Sequence, residues 1–242
     1  MLVEVLPVAG YPWIPPLSDR IAVVIDVFRA TSTMVTALAN GCQAIIPVLS
    51  TEEAIERRIS EPGSLLGGER KALRIEGFDL GNSPFDYTPE KVGGKKVIMT
   101  TTNGTRAIQA VADACKVYIA SFLNVESIAH AIFRFIEVHK DIRGIAIACS
   151  GSEDRFDIPD IVCAGMLIEA LGGEMQTNDL GLAAQMLYNI AKADPLEILR
   201  KTEHGKLLVS LGFEKDMVYC STANILPIVP ILENGEIIWN MD

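Results

Sequence analysis

The sequence predicts an α/β protein of three layers, with helices on both faces of a mostly parallel sheet and an antiparallel C-terminal hairpin at one edge. Three observations predict it. Short β-branched apolar runs alternate with helical patterns, as in successive βα units. The first such run, Ile21 to Phe28, is apolar on both faces, as a central parallel strand is. The last segment changes character, with two short apolar runs flanking Asn234-Gly235, a type I′ hairpin signal. A chain of 242 residues, 49% hydrophobic and 21% charged, excludes disorder, collagen and coiled coil. It is long enough to bury roughly 70–75% of its extended surface without disulfide or metal staples.

Each element follows from local signals. In Ile21 to Phe28 (IAVVIDVF) the single charge, Asp26, falls near the carboxyl end. Thr31 to Asn40 reads as a helix opened by a Thr-Ser-Thr cluster suited to capping and closed at Gly41. Ala44 to Leu49 is a strand, and Thr51 to about Ile59 a helix, because Thr51 and Glu52-Glu53 favour an N-terminus. Pro62 to Gly94 is a long irregular stretch rich in glycine but not of low complexity, with Leu73, Ile75, Phe78 and Phe85 to anchor it. Loops of this length in compact domains are usually functional or disordered, and with these apolar anchors it reads as an ordered, site-forming excursion within one domain spanning residues 1–242. Lys96 to Thr101 then leads into a helix near Gly104, Val117 to Ala120 into Val125 to Glu137, and Gly144 to Ala148 into a helix opening at Pro159. Helical patterns over Leu180 to Ala193 and Leu196 to Thr202 precede Pro227 to Leu232 and Glu236 to Trp239.

Composition narrows function. Lys plus Arg is 21 against 31 for Asp plus Glu, a net charge of −10, with no basic run, so nucleic acid and anionic membranes are not expected partners. The N-terminus has no basic region before its apolar residues, and no 18-residue apolar stretch occurs. A soluble cytoplasmic protein is expected. The five cysteines form no C-x-x-C and read as buried thiols in a reducing compartment. Only His130, His139 and His204 exist, with no H-E-x-x-H, which leaves a zinc hydrolase little to work with. The apolar excess and the exposed edge expected of the hairpin favour a homo-oligomer.

In parallel α/β sheets, ligands bind beyond the carboxyl ends of the strands. After the first strand, Asp26, Arg29, Thr31, Ser32 and Thr33 converge on one turn, suited to a metal and a phosphate held together. In Thr100 to Arg106, Asn103-Gly104 has access to a tight or left-handed backbone exposing N–H groups, with Thr105 and Arg106 opening the helix. The third turn holds a literal C-x5-R, Cys149 to Arg155, the spacing of cysteine-dependent phosphatases. Glu153 and Asp154 in that loop would repel phosphate, so Cys149 reads as a core thiol. No G-x-x-x-x-G-K-[ST] or G-x-G-x-x-G is present, and Phe28 stands where a haloacid dehalogenase-type D-x-D would need its second Asp. His204 reads as a hydrogen-bonded structural histidine, with proton donation the alternative.

Taken together, VVIDVFRATSTMVTALANG, GGERKALRIEGFDLGNSP, TTTNGTRA, the Phe156 to Asp160 run into Cys163-Ala164-Gly165, and EHGKLL before Cys220 resemble the 2-phosphosulfolactate phosphatase family, from Ile21 to Pro230. The resemblance implies Mg2+-dependent hydrolysis of a phosphate monoester, a three-layer α/β/α fold and an association with coenzyme M biosynthesis. Two departures stand out: Pro159-Asp160 replaces a Glu-Asp pair, and Ser152 to Arg155 is more acidic than the family's Gly-rich turn.

The residues and the resemblance agree on a site. Asp26, Glu69 and Asp160 are the candidate Mg2+ ligands, with Asp26, Arg29 and Asp160 the candidate catalytic groups. Arg29, Arg70 and Arg106, with Thr31, Ser32, Asn103, Gly104 and Thr105, are candidates to bind the anionic substrate. The leading expectation is a Mg2+-dependent phosphatase acting on a small phosphorylated sulfonate or carboxylate, by attack of either metal-activated water or Asp26. The alternatives are a non-catalytic sulfonate- or phosphate-binding protein and a cysteine phosphatase using Cys149.

Overall fold

The structure, a computed structural model, describes residues 1–11, 16–172 and 175–239. In chain order its strands are β1 (Leu2–Leu6), β2 (Arg20–Ile25), β3 (Ala44–Pro47), β4 (Leu65–Arg70), β5 (Leu73–Arg74), β6 (Lys96–Thr100), β7 (Lys116–Ala120), β8 (Gly144–Cys149), β9 (Gln176–Thr177), β10 (Ile231–Glu233) and β11 (Glu236–Ile238). Its helices are α1 (Ala30–Ala39), α2 (Thr51–Ser60), α3 (Pro89–Val92), α4 (Gly104–Ala110), α5 (Val125–Val138), α6 (Ile158–Ala170), α7 (Asp179–Ala191), α8 (Pro195–Leu199), α9 (Glu203–Ser210) and α10 (Glu214–Cys220).

The expected three-layer α/β/α class is observed. One mixed sheet runs β5-β4-β6-β3-β11-β10-β7-β2-β8-β1-β9. Residues of β2 alternate between its faces: Ile21, Val23 and Ile25 join the core beneath α5, α6 and α7, while Ala22 and Val24 join the core around α1 and α4. The alanines Ala22, Ala146 and Ala148 keep that second face shallow where α1 and α4 lie. A third, smaller core of Ile46, Leu66, Ile98 and Ala54 seats α2.

Two expectations are corrected. The stretch 62–94 is not irregular throughout, because β4 lies in it and pairs in parallel with β6. Gly67 and Gly68 hide this strand from any propensity reading, yet Gly68 (φ +138) is needed: a Cβ there would meet the Thr100 carbonyl oxygen at 1.9 Å. The C-terminal hairpin is antiparallel, as expected, with Asn234 and Gly235 at φ 50° and 80°. Its place is inside the sheet, where β10 pairs β7 and β11 pairs β3. It bridges two parallel sets, β4-β6-β3 and β7-β2-β8-β1-β9, which run in opposite senses because three antiparallel steps separate them. Five strand-to-strand steps lie between β6 and β2. Residues after the carboxyl ends of both nevertheless line one cavity.

Candidate functional site

The carboxyl ends of β2, β4, β6 and β8, with α9, enclose a cavity of about 330 Å³. Asp26, Phe28 and Arg29 line it after β2, and Glu69, Arg70, Lys71 and Ala72 from β4 and its turn. Thr101, Thr102 and Asn103 follow β6, Ser152 and Glu153 follow β8, and His204 and Leu207 come from α9.

Asp26 is 6% exposed and sits one residue past the apolar β2. Its Oδ1 accepts the Ala30 N–H (3.2 Å). Burial pushes its carboxyl up to about 6, against the opposing charge of His204 and the Ala30 N–H. Gly104 makes room for it: a Cβ on Gly104 would stand 2.8 Å from Asp26 Oδ2 and 2.6 Å from the Ala30 methyl. Asn103 has φ −120° and Gly104 is not among the positive-φ glycines, so of the tight or left-handed backbone expected here the left-handed form is not taken. Thr31 and Ser32 are fully buried and turn inward, their hydroxyls donating to the carbonyls of Asp26 and Val27 at 2.9 Å. Thr105 does the same to Thr101 (2.9 Å). These hydroxyls brace the two turns, and none of the three residues lines the cavity.

Glu69 holds two backbone N–H groups, Thr102 on Oε1 and Ala72 on Oε2, both at 2.8 Å. Arg29, 2% exposed, pairs through Nη1 with Asp216 Oδ2 (2.5 Å), donates through Nη2 to the Ala72 carbonyl (2.5 Å) and lies 4.0 Å over the Phe213 ring. Its fork is committed to protein groups. Lys71 and Ala72 form the two-residue β4–β5 turn with φ of 52° and 65°. That left-handed backbone is unfavourable for residues with a Cβ, and the grips of Glu69 and Arg29 on Ala72 hold it in place. Arg70 lies along the wall, donating to Thr100 Oγ1 (3.0 Å) and to the Glu69 carbonyl (2.8 Å). Neither Arg70 nor Lys71 makes an ion pair among the described residues, whereas Arg106, half exposed and outside the lining, pairs with Asp154 (3.0 Å). Arg106→Lys is therefore expected to change kcat/KM less than about twofold and stability by under about 0.5 kcal/mol, as surface pairs do. A tenfold loss in steady-state assays would bring Arg106 into the site.

Asp160 stands behind the cavity wall. Its Oδ1 accepts Val27 N–H (2.8 Å) and its Oδ2 accepts Gly151 N–H and Ser150 Oγ (both 3.1 Å), tying the ends of β2 and β8 together. Burial, then the charges of Asp26 and Asp157, push its carboxyl well above the usual range. Among the described residues no three His, Cys, Asp or Glu side chains converge on a metal cage. A Mg2+ ion that keeps several waters needs only one or two carboxylates plus substrate oxygens, and Asp26 with Glu69 fit that donor set.

The sequence reading named His204, as a hydrogen-bonded structural histidine with proton donation the alternative, but missed its partner Asp157. Asp157 Oδ2 and His204 Nδ1 lie 2.6 Å apart, and the His204 ring meets Phe28 edge-on at 5.8 Å. The signal was present in the Phe156 to Asp160 and EHGKLL runs, but not that the two meet. Cys149, by contrast, is fully buried, its thiol pushed well above its ordinary value by burial, then by Asp160. Cys149→Ser is expected to keep phosphate release near wild type at a stability loss of about 1–3 kcal/mol. Loss of turnover in a folded variant, or on thiol alkylation, would restore the cysteine mechanism.

A family model described as "2-phosphosulpholactate phosphatase" matches residues 14–235. A protein of Symbiobacterium thermophilum described as "Probable 2-phosphosulfolactate phosphatase" is 43% identical, over 93% of this chain and 97% of its own. Proteins of the same description from Thermotoga petrophila (42% identical, 91% and 92% covered) and Clostridium perfringens (41%, 98% and 96%) are similar throughout as well.

Proposed function

The chain belongs to the 2-phosphosulpholactate phosphatase family, and on that footing we propose that it hydrolyses 2-phosphosulfolactate to sulfolactate and inorganic phosphate with Mg2+. The membership makes it a phosphoric monoester hydrolase acting on a small anionic substrate. One observation supports the finer reading most: a single cavity is lined by three carboxylates, Asp26 and Glu69 beside the β2 and β4 ends and Glu153 after β8, with two cations free of acidic partners among the described residues, Arg70 and Lys71.

Asp26 and Glu69 would hold the cation. When bound, Mg2+ offsets the charge of the transferring phosphoryl and polarises its oxygens. Arg70 and Lys71 face a substrate with phosphate, sulfonate and carboxylate groups, whose charge a protein of net −10 must offset locally. Arg29 acts one step back, holding the Ala72 carbonyl and so setting where Lys71 stands. Asp160 keeps the Val27 and Gly151 N–H groups in register behind Asp26. The same reading places the protein in the cytoplasm, where its thiols stay reduced.

Phosphate release from 2-phosphosulfolactate should require Mg2+, cease with a chelator and return when Mg2+ is restored. Undiminished turnover in chelator would remove the cation from the reaction. Binding of 2-phosphosulfolactate without turnover would make the protein a binder.

A further inference from the structure

We propose that His204 is the proton donor to the leaving alcohol oxygen, and that Asp157 is the residue that positions it. The inference rests on the phosphatase reading above and deepens it. The attacking side of the reaction has its groups in Asp26, Glu69 and Arg70, but none of these answers the negative charge that builds on the ester oxygen as it departs. A secondary alkoxide is a poor leaving group unless a proton reaches it in the transition state.

His204 is the one imidazole lining the cavity among the described residues. It also lines a second cavity of about 290 Å³, so it stands in the wall between the two. The 2.6 Å contact of Nδ1 with Asp157 Oδ2 fixes the Nδ1 proton on the acceptor carboxylate, leaving Nε2 without a protein partner among the described residues. The Phe28 ring, edge-on at 5.8 Å, sets the plane of the imidazole. Burial opposes the imidazolium, but the hydrogen bond and charge of Asp157, with the charge of Asp26, outweigh it and hold His204 above its ordinary value. The ring can therefore carry a second proton, at Nε2.

The step balances. The phosphorus–oxygen ester bond breaks with its electron pair moving to the alcohol oxygen, while the attacking oxygen, ultimately from water, forms the new bond to phosphorus. The Nε2 proton passes to the departing oxygen, giving the free alcohol, and the N–H pair remains on Nε2. The neutral ring keeps its Nδ1–H on Asp157 and regains the Nε2 proton from solvent before the next turnover.

The test separates leaving groups in the Mg2+-loaded enzyme. His204→Gln should lower kcat for 2-phosphosulfolactate by about 10²–10⁴-fold, the range for a lost general acid. With 4-nitrophenyl phosphate, whose leaving group departs as a stable anion, the loss should stay under about tenfold. Asp157→Asn should show the same split to a smaller degree, which a merely structural residue would not, and circular-dichroism melting identifies which variants are folded. Equal losses on both substrates in folded protein, or no loss on either, overturn the proposal while leaving the phosphatase reading intact. Wild-type protein that hydrolyses neither ester removes both. If His204→Gln does not fold, the Asp157→Asn split decides the matter alone.

Discussion

Asp26→Asn is expected to lose turnover by roughly 10³-fold or more, the several kcal/mol that a hard cation supplies to a transferring phosphoryl. The same variant should be more stable than the wild type when metal is absent. The sign follows from the direction of the shift. Burial raises Asp26 from 3.8 to about 6, so between these values the folded carboxyl keeps a proton that the unfolded chain has released. Folding stability then falls as pH rises through that window, and above it the carboxylate costs about 3 kcal/mol. Asparagine keeps an oxygen for the Ala30 N–H and carries no charge. Denaturant melts in chelator at pH 7.5 should show the gain, and melts near pH 4 should not. An active Asp26→Asn enzyme, or one no more stable at pH 7.5, would refute the assignment.

The second large effect is on stability alone. Asp216→Ala should destabilise the protein by roughly 3–5 kcal/mol, because it leaves the Arg29 guanidinium buried without its counter-charge. Ser83 loses its acceptor as well, since its hydroxyl donates to Asp216 Oδ1 (2.8 Å). The double variant Arg29→Met, Asp216→Leu should recover most of that loss, as apolar replacements of buried pairs do. It should not recover activity, because the Ala72 carbonyl then loses its donor and the strained turn that carries Lys71 is left to the Glu69 grip alone. A double variant restored in both stability and kcat/KM would show that Arg29 matters only to folding.

How legible was this in the chain? The βα units carried by contiguous signals were readable, and β2, α1, β6 and β8 fall within a few residues of where their patterns put them. Asp26 was readable for the same reason, as a lone charge at the end of an apolar run. What failed is what depends on distant partners. Nothing local says that Ile237 pairs with Ile45 and Ile231 with Tyr118, so the hairpin looked like a rim element. Nor does anything local say that His204 meets Asp157 or that Arg29 meets Asp216, 187 residues away. Thr31, Ser32 and Thr105 misled in the opposite way. A hydroxyl near a strand-to-helix turn bonds its own backbone as readily as a ligand, and all three do so.

The hairpin's position bears on how the protein is made. Residues 231–238 emerge from the ribosome after both sets of strands they join. Until they arrive, β3 and β7 each present unpaired N–H and C=O groups of apolar strands, the template that neighbouring nascent chains recruit. At roughly 5–20 residues per second the wait between β8 and the hairpin lasts several seconds. Chaperone dependence during translation, and aggregation on premature termination anywhere past β8, are the expected signatures of a sheet whose central seam is sewn last.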